Sequence, residues 1–422
     1  MSKCSNQPLT VAVPDKIRPD FSPTQNLIEA ELYVFGNFER HNLIMSHPYP
    51  SHLKINRPGA EQELLLQAAL LNGEQALAAW KTWCSKVDLQ ALDTSSYRLL
   101  PLLYHNLNRL QVKHPWLPIM RGVHRHTWVK NQTLLYEMGQ LLTQFQDAGI
   151  EPLLLKGTAL IVKYYDNFGL RPMDDFDVLV PRCQVNQAIE VLTKAGWEAG
   201  FRAPHAQSFR KGEELECDLH WNILFENCRQ AIDDPFRQMA DQAYVNGVAV
   251  KVLNPTDQLL HVCVHGARWS YLPPLRWLAD AVVILNHSMI DWERLVQQAI
   301  RVGVVLPLRD ALAYLKWLLG LEIPETVLSQ LNQYPVPLAL HLDFRAWTIP
   351  ADQRSASLTL WAYWREFVQW SYGANQSPVF WRFPLFLQHL WEVDSIQKVP
   401  WMVVSGGLRR VGNRFLGRGL NS

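Results

Sequence analysis

The stretch Asp174-Asp175-Phe176-Asp177-Val178-Leu179-Val180 constrains this chain more than any other. Its apolar residues alternate as a strand's do, and a strand turns successive side chains to opposite faces. Phe176, Val178 and Val180 then share one face and read as core. Asp175, Asp177 and Leu179 share the other. Two carboxylates on one strand face repel each other and resist burial. A fold that keeps them together needs a compensating cation. Two hard oxygen donors converging on one point suit Mg²⁺, which takes one or two carboxylates together with waters and substrate phosphates, and Mn²⁺ accepts the same donors.

A second acidic strand is read at 214–220, where Glu216, Asp218 and His220 share a face opposite Cys217, Leu219 and Trp221. Laid beside the first, it brings Asp218 to Asp175 and Asp177 as a cluster of three carboxylates, the predicted catalytic and metal-binding set. Two-metal phosphoryl or nucleotidyl transfer needs such a cluster: one ion activates the attacking oxygen and the other steadies the leaving pyrophosphate. Upstream, Lys156-Gly157-Thr158 follows the apolar run 152–155. Glycine lets backbone approach phosphate closely, and a new helix offers free N–H groups at its start. Thr158 adds a hydroxyl donor and Lys156 a neutralising charge.

Around this block the chain changes texture. Residues 1–57 carry several prolines and no sustained period, and read as an irregular extension. Helical periodicity holds from 58 to 150, with Ser95-Ser96 as the expected cap of a helix over 97–110. The segment 151–253 reads as the core, with helices over 156–165 and 185–195 and strands at 152–155, 176–180, 197–201, 208–210 and 214–220. Helices are expected again at 257–269, 274–285, 292–302, 307–319 and 324–332, so that 254–335 completes the cleft. Residues 336–422 form a Trp-rich extension with a basic tail. The predicted class is α+β, a mixed sheet flanked on both sides by helical regions.

With 48% apolar and 19% charged residues, the 422-residue chain can bury a sizeable core. A net charge of +1 argues against a general nucleic-acid binder. The six cysteines form no CxxC pair, unlike a zinc ribbon or disulfide framework. No signal peptide and no spanning segment are read from the sequence, so a cytoplasmic protein is expected.

The same residues carry a resemblance. Leu155-Lys156-Gly157-Thr158, Asp175-Phe176-Asp177-Val178 and Cys217-Asp218-Leu219 stand where the polymerase-beta-like nucleotidyltransferase superfamily has its glycine turn, its paired acids and its third acid. More closely, the chain resembles the bacterial uncharacterised nucleotidyltransferase family. The likeness rests on Gly169-Leu170-Arg171-Pro172-Met173, Asp218-Leu219-His220-Trp221, Leu259-Leu260-His261 with His265-Gly266, and the run Leu275–Ala281. It covers about 60–335. Thr158 replaces the usual second glycine or serine, and the gap from Gly157 to Asp175 is longer than is common. The resemblance implies a minimal nucleotidyltransferase fold with Mg²⁺ and an NTP donor. It leaves the acceptor open among a protein, a peptide, an RNA or a small metabolite. It implies metal-binding Asp175, Asp177 and Asp218, with Asp218 helping to deprotonate the acceptor, phosphate-holding Gly157 and Thr158, and charge neutralisation by Lys156 and Arg171. The alternatives are a catalytically inactive nucleotide-binding or regulatory protein on the same fold and a kinase-type phosphoryl transferase.

Other residues take simpler readings. Arg171 can instead pair with Asp174, and Asp280 with Arg276 four residues earlier. His220 either touches phosphate and orients Asp218 or is an ordinary strand histidine. His261 and His265 have zinc-like spacing but no third ligand, so they are read as cleft-facing groups near the base or ribose. Trp361, Trp364 and Val368 read as helix core. The arginines at 409, 410, 414 and 418 read as a solvated end, with anionic lipid or RNA as the alternative.

Overall fold

The computed structural model describes residues 53–401, apart from 55, 230, 231, 269, 271, 272 and 375. The irregular extension and the basic tail expected from the sequence fall almost wholly outside the described residues.

Leu153–Leu155 (β1) is buried on both faces because it lies inside a seven-stranded sheet of order β3-β4-β5-β2-β1-β7-β6. Asp175–Leu179 (β2) runs antiparallel to β1. Glu198–Arg202 (β3), Ala206–Lys211 (β4) and Leu215–His220 (β5) form an antiparallel meander. Its last strand returns parallel to β2. On the other side, Asp241–Val245 (β6) and Val248–Val252 (β7) form a hairpin, with β7 parallel to β1. The sequence reading named neither strand of this hairpin. Its signal was present in Asn246-Gly247, whose φ angles of +49° and +83° suit the tight turn such hairpins favour.

Helices flank the sheet on both sides. Ala60–Leu70 (α1), Gly73–Cys84 (α2) and Leu100–Arg109 (α3) precede the 31-residue Leu117–Asp147 (α4). Asp93, rather than the predicted Ser95-Ser96, caps this region: it accepts from the Ser96 N–H and closes a one-turn helix at Thr94–Tyr97. Pro101 cannot sit inside a helix, so α3 starts just ahead of it. Leu134, Leu135, Met138, Leu141, Leu142 and Phe145 form the buried stripe of α4, which packs on β2, β6 and β7.

One buried residue of α4 organises the approach to β2. Asn131 donates to the Phe168 and Arg171 carbonyls at 2.5 and 2.8 Å and accepts from the Met173 N–H at 3.3 Å. The 168–173 loop is thereby fixed to the helix.

Lys156–Tyr164 (α5) and Val185–Lys194 (α6) cover the sheet near their predicted places. Beyond it, Asn254 caps Pro255–Gly266 (α7), which packs against Arg276–His287 (α8). Gly266 is needed there, since a Cβ at this position would lie 2.1 Å from the Trp277 ring. Trp292–Val302 (α9), Val305–Leu319 (α10) and Glu325–Gln333 (α11) follow. The chain ends its described course with Leu338–Thr348 (α12), Ala356–Gly373 (α13) and Phe383–Leu390 (α14). Val368 is buried, Trp364 packs edge-on to Phe383, and Trp361 donates to Asp343, so all three serve packing. No described helix is long and apolar enough to cross a membrane.

Candidate active site

β1 passes into α5 with no loop between them. The junction residue, Lys156, sits at φ +45°, a left-handed conformation costing a non-glycine residue about 1 kcal/mol or more. Its ammonium lies 2.5 Å from Asp177 Oδ1 and 3.9 Å from Asp218 Oδ2. Burial favours the neutral amine, but the attraction of Asp177, then of Asp218 and Asp175, wins and raises the Lys156 pKa.

Gly157 faces the 168–173 loop. A Cβ there would lie 2.6 Å from Arg171 Nη1 and 3.3 Å from Met173 Cγ and Sδ. Gly157→Ala is therefore expected to displace Arg171. The overpacking amounts to about 1–3 kcal/mol, which taken wholly from the binding-competent state is roughly 5- to 150-fold in nucleotide affinity. Titration with each NTP, with circular dichroism as a folding control, measures this.

The strand register places Asp177 beside Asp218 and Asp175 beside Glu216. Directly paired strand residues point to one side, as the sequence pattern required. Asp177 is 2% exposed and accepts from both Lys156 and His220, the latter at 2.9 Å. Burial alone would favour its protonated form. Lys156, followed by His220, overrides this and holds the carboxyl far below the usual range. Asp175 behaves in the opposite way: burial, then the charge of Asp177, pushes it up to about 6. Asp218 is also raised, by burial first and Asp177 second. Glu216 is turned to Arg210, 2.5 Å away.

Among the described residues, Asp177, Asp218 and His220 bring ligand atoms within 4.8 Å of one another. Two carboxylates and an imidazole fit Mg²⁺ or Mn²⁺, the imidazole suiting the latter better. Asp175 shares the strand face and lines the adjoining cavity, but it is not one of these three.

That cavity, about 220 Å³, has Lys156, Gly157, Asp175 and Asp177 on one side and His261, His265, Arg276 and Trp277 on the other. His261 is buried, and its burial, with Lys156 nearby, lowers its pKa to about 3, so it presents a neutral ring. Neither His261 nor His265 joins the metal-competent group. Thr158 is fully buried behind the turn, and its hydroxyl finds no partner among the described residues.

Two pairings differ from the sequence reading. Arg171 does not bind Asp174. It reaches Asp280 in a buried bidentate pair at 2.7 and 2.9 Å, which Tyr165 joins through its hydroxyl at 2.8 Å. Asp174 is held by Arg98 and by Lys130 at 2.7 Å. Asp280 is therefore unavailable to Arg276, which donates instead to the Pro172 carbonyl at 2.7 Å. Long-range geometry decided both cases, where the sequence offered only the nearest opposite charge.

Sequence reasoning thus missed Arg276. It lines the cavity with no ion-pair partner among the described residues, and burial, then the charges of Arg171 and Arg98, lower its pKa to about 10. It also missed His205, whose ring lies 5.4 Å from that of His220. Arg276 lies within the run Leu275–Ala281 that carries the resemblance, where it was read only as a partner of Asp280, whereas no local motif marked His205.

A family model described as "uncharacterised nucleotidyltransferase" matches residues 94–320. Among solved structures, the chain is similar to an antigenic nucleotidyltransferase-like protein from Paracoccidioides brasiliensis. That likeness has 16% identity and a TM-score of 0.35, and covers 49% of this chain and 95% of the other. No curated protein matches.

Proposed function

The chain, matched over more than half its length, belongs to this family of uncharacterised nucleotidyltransferases, and from that premise we propose that it moves an NMP from an NTP to a hydroxyl or phosphate of an acceptor, releasing pyrophosphate. The observation that carries the reading is the parallel pairing of Asp177 with Asp218 beside the turn at Gly157, with free cationic character facing the same cavity from Arg276. Acids alone would repel a triphosphate. Acids next to a guanidinium that has no ion pair among the described residues suit one that arrives with a divalent cation.

Asp177, Asp218 and His220 would hold Mg²⁺ or Mn²⁺, with Asp175 completing the acidic face. A bound ion would neutralise phosphate charge and make the acceptor oxygen a better nucleophile. Gly157 leaves room for phosphate at the start of α5, whose N–H groups and dipole favour anions. Thr158, behind the turn, supports that backbone. Arg276 contacts phosphate oxygens. Arg171, braced by Asp280, shapes the wall and offers its remaining edge to the cavity. Lys156 moves its charge from Asp177 toward phosphate as substrate enters. Asp218, the most exposed of the metal-competent trio, assists removal of the acceptor's proton. His261, a neutral ring, and His265, exposed beside it, face the base or ribose as hydrogen-bonding groups.

The test incubates the protein with each α-labelled and γ-labelled NTP, Mg²⁺ or Mn²⁺, and cell extract. Label from the α-phosphate appearing on an acceptor, with pyrophosphate as product, is the expected result. NDP as product would identify a kinase. Binding without turnover would identify an inactive nucleotide-binding protein. Fractionation of cells tests the proposed cytoplasmic location, and the labelled acceptor reveals whether it is protein, peptide, RNA or metabolite.

A further inference from the structure

The segment beyond residue 320 lies outside the family match, yet it builds a second cavity against the core. This cavity, about 360 Å³, shares no lining residue with the catalytic one. We infer that it binds a nucleoside monophosphate.

Its walls come from the 226–229 loop, the end of α9, α12 and α13. Buried Gln369 of α13 fixes the loop, donating to the Glu226 carbonyl and accepting from the Cys228 N–H, both at 2.8 Å. The cavity is therefore held from both sides.

Three chemical features run along it. Asp343 is 1% exposed. Its Oδ1 accepts from Trp361 at 2.8 Å and faces Arg365 at 2.9 Å, whereas Oδ2 has no partner among the described residues. A buried carboxylate oxygen calls for a hydrogen-bond donor. Arg229 and Arg301, both exposed, line the same space and form no ion pair among the described residues; Arg301 donates Nε to Gln298 Oε1 at 2.7 Å and Nη1 to the Ile232 carbonyl at 2.9 Å, which leaves Nη2 for a ligand. The half-buried rings of Tyr334, Trp347 and Tyr372 supply flat apolar surface, with Arg229 lying 5.4 Å from the Tyr372 ring centre.

A ligand satisfying all three carries an anion, a planar ring and an N–H donor. In a nucleoside monophosphate the phosphate meets the guanidinium groups. The base lies against the aromatic rings, and an exocyclic amine donates to Asp343 Oδ2. The cavity volume is in the range of small-ligand sites. Free phosphate would use only the arginines.

Equilibrium dialysis of the full chain with labelled AMP in EDTA tests this, because chelation removes the divalent ions that the catalytic cavity would use. Binding is expected, weakened at least about tenfold by Arg229→Glu/Arg301→Glu, since two cations become anions beside the phosphate. Both residues are exposed, and an unchanged melting temperature verifies the fold. Gly157→Ala, in the catalytic turn, should leave this binding intact. Ribose 5-phosphate and inorganic phosphate should bind at least about tenfold more weakly, since both lack the planar base. Equal binding by the double variant, loss of binding in Gly157→Ala, phosphate binding as tightly as AMP, or no AMP binding at millimolar concentration would each overturn the inference. None of these results bears on pyrophosphate release, so the two readings fail separately.

Discussion

Asp177→Asn and Asp218→Asn should each lower nucleotidyl transfer by about 10³-fold or more, with Asp175→Asn close behind. The two paired acids sit side by side on β2 and β5, with ligand atoms within 4.8 Å of one another, close enough to share one ion. Metal-borne charge stabilisation in phosphoryl transfer is worth several kcal/mol, and at 1.36 kcal/mol per decade a loss of about 4 kcal/mol is about 10³-fold. Asparagine keeps the shape of the side chain and removes its charge, so the loss reports on electrostatics. Pyrophosphate release at saturating NTP and varied Mg²⁺ measures it. If all three variants turn over within threefold of the parent, the acids are not the catalytic set.

The same substitutions should separate sharply in stability. Asp177 is charged at low cost because Lys156 and His220 hold it. Removing that charge leaves Lys156 without its close partner, and breaking a buried pair on one side costs on the order of 3 kcal/mol. Asp175 has the opposite balance. Its pKa is raised to about 6 by burial and by Asp177, so holding it ionised at neutral pH works against the fold. Asp175→Asn should therefore raise the melting temperature in metal-free buffer, while Asp177→Asn lowers it.

The pH dependence follows from the signs. A carboxyl with a raised folded-state pKa binds more protons folded than unfolded between about 4 and about 6. Its contribution to metal-free stability improves as pH falls through about 6, and Asp175→Asn removes that improvement. Over the same interval Asp175 loses its charge, so affinity for Mg²⁺ or Mn²⁺ should fall. Thermal melts from pH 5 to 8, with and without the ion, read both effects. A parent whose metal affinity is flat over that range would contradict the assignment of Asp175 to the acidic face.

The alternation around Phe176 gave the strand, its core face and its acidic face before any coordinates, because period two leaves only one way to bury the apolar residues. The partnership of Asp177 with Asp218 was also legible, since both occupy the same phase of their strands. What stayed hidden was tertiary in origin. Arg171 finds Asp280 across 109 positions of sequence, and nothing local competes with Asp174 as its apparent partner. Arg276 looked satisfied four residues from Asp280 until Arg171 occupied that carboxylate. The β6–β7 hairpin was missed although Asn246-Gly247 announced it. Burial of Thr158 behind its own turn depended on how α5 packs, which spacing alone does not express.

Lys156 gives the acidic face a counter-charge that is part of the polypeptide. Domains held together by a structural ion unfold when a chelator takes it away. Here the closest cation to Asp177 is covalently tethered one residue beyond β1, so Asp177 gains its counter-charge during folding itself, while Asp175 and Asp218 stay raised by burial and by their acidic neighbours. Purification in EDTA should yield a native, cooperatively melting protein that lacks turnover and regains it on adding the ion back.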